Sequence, residues 1–120
     1  MIRLEYGGGQ QGSLIRTCSA EAEACEDGVR IVCSLAAAQR LQRMGVSCIR
    51  LQDASGETFE TVWNTDARRG GMTARNCSRC TVRELVRVPP GVYTALVTFY
   101  VKGSLGSDSV TCRTAPVTVE

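Results

Sequence analysis

Seven cysteines and no histidine in 120 residues constrain this chain more than any other feature. A reducing cytosol keeps thiols from pairing, so a small chain this rich in Cys reads as a disulfide framework of an extracellular domain. The absence of histidine removes the commonest general base and the commonest metal ligand. Both facts point away from catalysis and toward a domain that binds.

The length suits one domain, residues 1–120, with enough buried surface for a real core, so disulfides would reinforce the fold rather than replace its core. Hydrophobic residues make up 43% and charged residues 22%, which is globular rather than disordered. A formal net charge of +2 is too weak to argue for nucleic acid, and arginine reads as scattered. No segment approaches the roughly 20 apolar residues of a membrane-spanning helix. Met1 to Tyr6 lacks a signal-peptide apolar stretch, so a secreted protein would carry its signal outside this sequence.

The strongest strand signal follows the Pro89-Pro90-Gly91 turn. From Val92 to Val101 the chain is dominated by Val, Thr, Tyr and Phe, and Tyr93, Ala95, Val97, Phe99 and Val101 share one face at period two. Residues 102–108 read as a hairpin loop, and a last strand runs over 109–119, where Pro116 marks an edge or bulge. Residues 81–88 and 57–63 are further strands, the latter entered through Ala54-Ser55-Gly56 and paired with 46–52. Residues 2–6, 13–18 and 29–34 complete the set, with Gly7-Gly8-Gly9 as a break. Short strands at this density predict an antiparallel sandwich or barrel. One stretch differs: Ser34 as N-cap, the helix formers after it and Gly45 at the stop position predict a short helix near residues 35–44.

The cysteines are Cys18, Cys25, Cys33, Cys48, Cys77, Cys80 and Cys112. Their number is odd, and spacing alone does not give connectivity. A bridge from Cys112 to an early cysteine would tie the two ends of the domain together. Cys77-Ser78-Arg79-Cys80 has redox-motif spacing but lacks a βαβ context. Cys18, Cys25 and Cys33 match zinc-finger spacing poorly, so no metal site is expected. Catalysis by a free thiol would lack a histidine base, and Lys102 is the only lysine. Glu21, Glu23, Glu26 and Asp27 read as solvated surface. No catalytic residue and no cofactor is expected.

In the C-terminal third the close pair Cys77 and Cys80 precedes a strand, Pro90-Gly91-Val92-Tyr93 leads a long strand, and Cys112-Arg113-Thr114-Ala115-Pro116-Val117-Thr118-Val119 follows the hairpin. In these motifs the C-terminal third resembles the ML lipid-recognition domains. The first half carries no family motif. The resemblance implies bridges Cys18–Cys112, Cys25–Cys33 and Cys77–Cys80, with Cys48 left over, free or available for a covalent dimer. It also implies an apolar ligand between two splayed sheets, for which Trp63, Val86, Val88, Tyr93, Val97 and Phe99 are the candidate lining.

The sequence reading is therefore an all-β, antiparallel two-sheet β-sandwich, immunoglobulin-like or ML-like, disulfide-stapled, with a short helix. Its expected function is non-enzymatic, secreted or cell-surface binding of another protein through loops or a sheet face. A carrier of a lipid or other apolar small molecule is the alternative. Arg68, Arg69, Met72 and Arg75, in the polar stretch 64–76, are the candidate partner-binding loop residues.

Overall fold

In the computed structural model the described residues are 2–4, 14–66, 71–104 and 106–120. They form eight strands: β1 (Ile2–Leu4), β2 (Ile15–Cys25), β3 (Gly28–Asp53), β4 (Glu60–Asp66), β5 (Thr73–Arg87), β6 (Gly91–Gly103), β7 (Gly106–Arg113) and β8 (Val117–Val119). All pairings are antiparallel. The all-β antiparallel expectation holds. In place of two separate sheets, however, every strand belongs to one hydrogen-bonded sheet that curls upon itself.

The curl is made by β3. Drawn straight, its 26 residues would reach roughly 85 Å at the rise of a strand. The longest extent of the whole molecule is 45 Å, so β3 must fold back. Its first half pairs with β2 on one side and with the second half of β5 on the other. Its second half pairs with β6 and β4, and near Met44 with the start of β5. The bend falls where the register with β5 jumps between Ala36 and Leu41. There Ala38, Gln39 and Arg40 are exposed, and Arg40 donates to the Asn76 carbonyl at 2.7 Å.

This bend replaces the predicted helix over 35–44, which the structure overturns. Val29, Ile31, Cys33, Leu35 and Ala37 alternate with less buried neighbours, so the burial period is two. Neighbouring strands pair with both ends of this stretch, β2 and β5 with residues 35–37 and β5 and β6 with residues 41–44, while 38–40 form the bend. Tertiary pairing outweighs a helix propensity worth a few tenths of a kcal/mol per residue. Gly45 ends no helix. It sits at φ 153°, with the backbone entering β5 so close that a Cβ there would lie 2.2 Å from the Met72 carbonyl oxygen and 2.6 Å from the Thr73 Cα.

The inward faces of the two halves meet in one core. Tyr93, Ala95, Val97, Phe99 and Val101 are all buried, as the period-two pattern predicts. They pack with Ile15, Cys18, Val29, Ile31, Leu35, Met44, Val46 and Ile49. Where β6 begins, the Tyr93 hydroxyl donates to the Pro89 carbonyl at 2.7 Å. This is the tyrosine-corner arrangement that pins a turn to the strand after it. Gly91 leaves room for the ring, since a Cβ there would meet it at 3.2–3.3 Å.

Pro116 interrupts the last strand as expected, separating β7 from β8. Thr114 fills the gap: its hydroxyl accepts from the Ala95 amide at 3.0 Å, and its carbonyl accepts from the Thr94 hydroxyl at 2.7 Å. The 46–52 segment pairs with β4 as predicted, though β4 starts at Glu60, three residues later than the sequence pattern suggests. At the intervening turn the Asp53 carboxylate accepts from the Ser55 amide at 2.9 Å and from its hydroxyl at 2.6 Å, which holds its pKa below the usual value.

Candidate functional site

Of the predicted partner-binding stretch 64–76, the described residues 64–66 and 73–76 belong to strands. β4 runs on to Asp66 and β5 begins at Thr73. Met72 is fully buried and belongs to the core, with the Thr65 hydroxyl 3.9 Å from its sulfur, so its side chain is not presented on the surface of this fold. Arg75 is an exposed residue of β5. Arg68 and Arg69 lie outside the described residues. Of the candidate apolar lining, Val86, Tyr93, Val97 and Phe99 are at most 4% exposed and fill the core, while Trp63 and Val88 are half-buried against it.

β5 orders part of the charge that looks scattered along the sequence. Arg75, Arg79, Arg83 and Arg87 recur every fourth residue, and all four are exposed. Four residues are an even step, so Arg79, Arg83 and Arg87 point the same way, about 13 Å apart in an extended strand. Thr81 and the 53%-exposed Leu85 fill the positions between them.

Register extends this row of side chains into a face. Ser19, Ser34 and Thr81 stand opposite one another across β2, β3 and β5. The next row is Thr17, Ala36 and Arg79, and the row on the other side is Glu21, Val32 and Arg83. A recess of about 310 Å³ opens here, lined by Thr17, Ser19, Ser34, Arg79 and Thr81. It lies where β2 bulges between Ile15 and Thr17 and where β3 leaves its register with β5. Carboxylates gather on the β2 side of the face and guanidiniums on the β5 side. Arg30 and Glu23 form an exposed ion pair at 3.1 Å. The face can therefore donate many hydrogen bonds along β5 and accept along β2.

Beneath this face lie thiols. No disulfide joins the seven cysteines. Cys18, Cys33 and Cys112 are buried; Cys25, Cys48, Cys77 and Cys80 are half-buried. Burial pushes the Cys33 thiol up to about 12, and the neighbouring Cys112 and Cys80 push it the same way. Cys112 is raised to about 11, by burial first and then by Cys18. Burial also raises Cys18, and raises Cys80 with a further push from Cys77. Thiols in this state are protonated at neutral pH and poor nucleophiles.

The register bears on each bridge that the resemblance implies. Cys25 stands opposite Gly28 while Cys33 stands opposite Ala20. Those rows are roughly 16 Å apart along the hairpin at the strand rise, far beyond the Cα separation a disulfide spans. Cys77 and Cys80 lie in one strand, where three residues advance the chain roughly 10 Å, also too far. Cys18 and Cys112 differ: β2 and β7 are in contact, and Cys18 adds to the upward push that burial gives the Cys112 thiol.

A second polar cluster sits at the far end of β3. Arg113 donates to Gln52 at 2.7 Å and lies 4.8 Å from the Phe59 ring centroid, while Gln52 donates to the Thr61 hydroxyl at 3.3 Å. Its partners satisfy one another, so it braces β7 against β3 and β4. Among the described residues no three His, Cys, Asp or Glu side chains are grouped to hold a metal ion, and no helix is long and apolar enough to cross a membrane. No family model, no curated protein and no solved structure matches this chain.

Proposed function

We propose that this protein is a non-enzymatic binding module that recognises an acidic surface of a partner protein through the β2–β3–β5 face. The observation that carries this reading is the line Arg79, Arg83, Arg87, exposed on one side of β5 beside a hydroxyl-lined recess. Guanidiniums are suited to this task because they bind carboxylates in a bidentate fork. The carboxylates on β2 give the face a direction. A partner docked the wrong way round would set acid against acid, so the segregation selects orientation as well as partner. Leu85 adds exposed apolar area among the arginines.

The proposal includes an extracellular setting, supported by seven cysteines in 120 residues. It also includes one bridge, Cys18–Cys112, supported by the approach of β2 to β7 described above. Peptide mapping under non-reducing conditions tests that bridge directly.

The binding reading is tested with the full chain and an extended Glu-rich peptide at low ionic strength, followed by backbone NMR. Expected are saturable shifts centred on Arg79, Thr81 and Arg83, lost with added salt and abolished in the triple variant Arg79→Gln, Arg83→Gln, Arg87→Gln. Equal binding by that variant, or no shifts at low salt, overturns the assignment. Native mass spectrometry covers the alternative: a lipid retained through purification would establish the carrier.

A further inference from the structure

The turn-proximal end of β5 holds a separate feature. Arg75 of β5, Arg43 of β3 and Lys102 of β6 stand in one cross-strand row, with Arg43 directly opposite both others. All three are exposed. Neighbouring strands lie about 4.8 Å apart, so the outer two backbones are only roughly 10 Å from each other, with a third cation between them. Like charges placed directly opposite destabilise a sheet. No carboxylate among the described residues is paired with any of the three. Arg40, the next cation along β3, is by contrast committed to the Asn76 carbonyl. Asn76, next to Arg75 in β5, has φ 51°.

The three cations, with Gln42 and Tyr100, line a recess of about 270 Å³. At about 30 Å³ per water molecule, this space takes one small ion and part of its hydration shell. Its walls are rich in donors: two guanidinium forks, an ammonium, a phenol hydroxyl and a primary amide.

We propose that this recess binds a multiply charged tetrahedral oxyanion, a phosphate or sulfate group. Three cations line one recess, and a single carboxylate would neutralise them only in part. A dianion with several acceptor oxygens accepts from both guanidiniums at once and leaves oxygens for Lys102 and Tyr100. Bound there, it converts a row of mutual repulsion into a bridge across β5, β3 and β6. Arg79, Arg83 and Arg87 take no part, so the site stands or falls apart from the acidic-partner reading.

The test uses the full chain in low-salt buffer free of multivalent anions. Inorganic phosphate and sulfate are titrated calorimetrically, followed by phosphatidylcholine vesicles with and without phosphatidic acid. Expected is one saturable site for the free ions. Arg43→Gln and Lys102→Gln should each weaken it roughly tenfold, the worth of one charge-assisted hydrogen bond. Arg50→Gln, an exposed arginine elsewhere on β3, should leave it unchanged. A preference for phosphatidic acid vesicles assigns a lipid headgroup; equal behaviour of both vesicles assigns a soluble ion. The melting temperature gives a second readout. Without anion, Arg43→Gln should melt higher than the parent because repulsion is relieved, and it should lose the rise that phosphate gives the parent. Absence of saturable binding, an Arg50→Gln loss equal to that of Arg43→Gln, or a lower anion-free melting temperature for Arg43→Gln overturns the proposal.

Discussion

Single side chains set the stability of this protein at two identifiable points. The Tyr93 hydroxyl donates to Pro89 at 2.7 Å with its ring buried beneath. Tyr93→Phe keeps the packing and removes the donor, so urea denaturation should show a loss of about 1 kcal/mol. A loss near zero would mean that the corner holds through ring packing alone. Burial, with Cys112 and Cys80 beside it, pushes the Cys33 thiol up to about 12, well above an ordinary thiol. The folded protein thus holds its proton more tightly than the unfolded chain does. The corresponding stability is fully present below the ordinary thiol pKa and is lost as pH rises toward 12. Reduced protein should therefore weaken steadily above about pH 9, and Cys33→Val should flatten that decline in a pH series of thermal melts.

At the scale of elements, β3 decides the architecture, and the glycines that let β5 approach it are its weak points. A Cβ on Gly45 would lie 2.2 Å from the Met72 carbonyl oxygen, against backbone that cannot swing aside. Gly45→Ala should cost roughly 3 kcal/mol or prevent folding. Gly71 has φ 76°, but a Cβ there would meet nothing within 4 Å. Gly71→Ala should cost only the conformational penalty of about 1–2 kcal/mol. Chemical denaturation of the pair separates close approach from backbone strain, and equal losses would refute the close-approach account. The same β3–β5 pairing builds both recesses, since register alone puts Ser34 beside Thr81 and Arg43 beside Arg75.

At the scale of the whole molecule, the curled sheet brings distant segments together. β2 and β7, near opposite ends of the chain, are in contact. The proposed Cys18–Cys112 bridge would close most of the chain into one loop. Its reduction should lower stability by roughly 4 kcal/mol in the loop-entropy account, visible as a fall in melting temperature with reductant. An unchanged melting temperature, with all seven thiols open to alkylation after unfolding without reductant, would remove the bridge. Cys18→Ala should then behave as a plain core truncation.

Much of the fold was legible in the residues themselves. The alternation of Tyr93 through Val101, the Pro89-Pro90-Gly91 turn, the turn around Ser55 and the break at Pro116 are local signals, and each occurs as read. The arginine repeat of β5 was equally present, at a period of four that a strand turns into one face. Other features could not be read locally. Residues 35–44 favour a helix in isolation and become extended because β2 and β5 pair with their first residues and β5 and β6 with their last. Met72 looks like loop and is core, because the curl carries it over β3, where its carbonyl accepts from the Val46 amide. Which thiols meet, and which cations share a row, follow from register between strands far apart in sequence. Local chemistry settles which backbone states a residue prefers; hydrogen-bonded register, a long-range property, settles which side chains become neighbours.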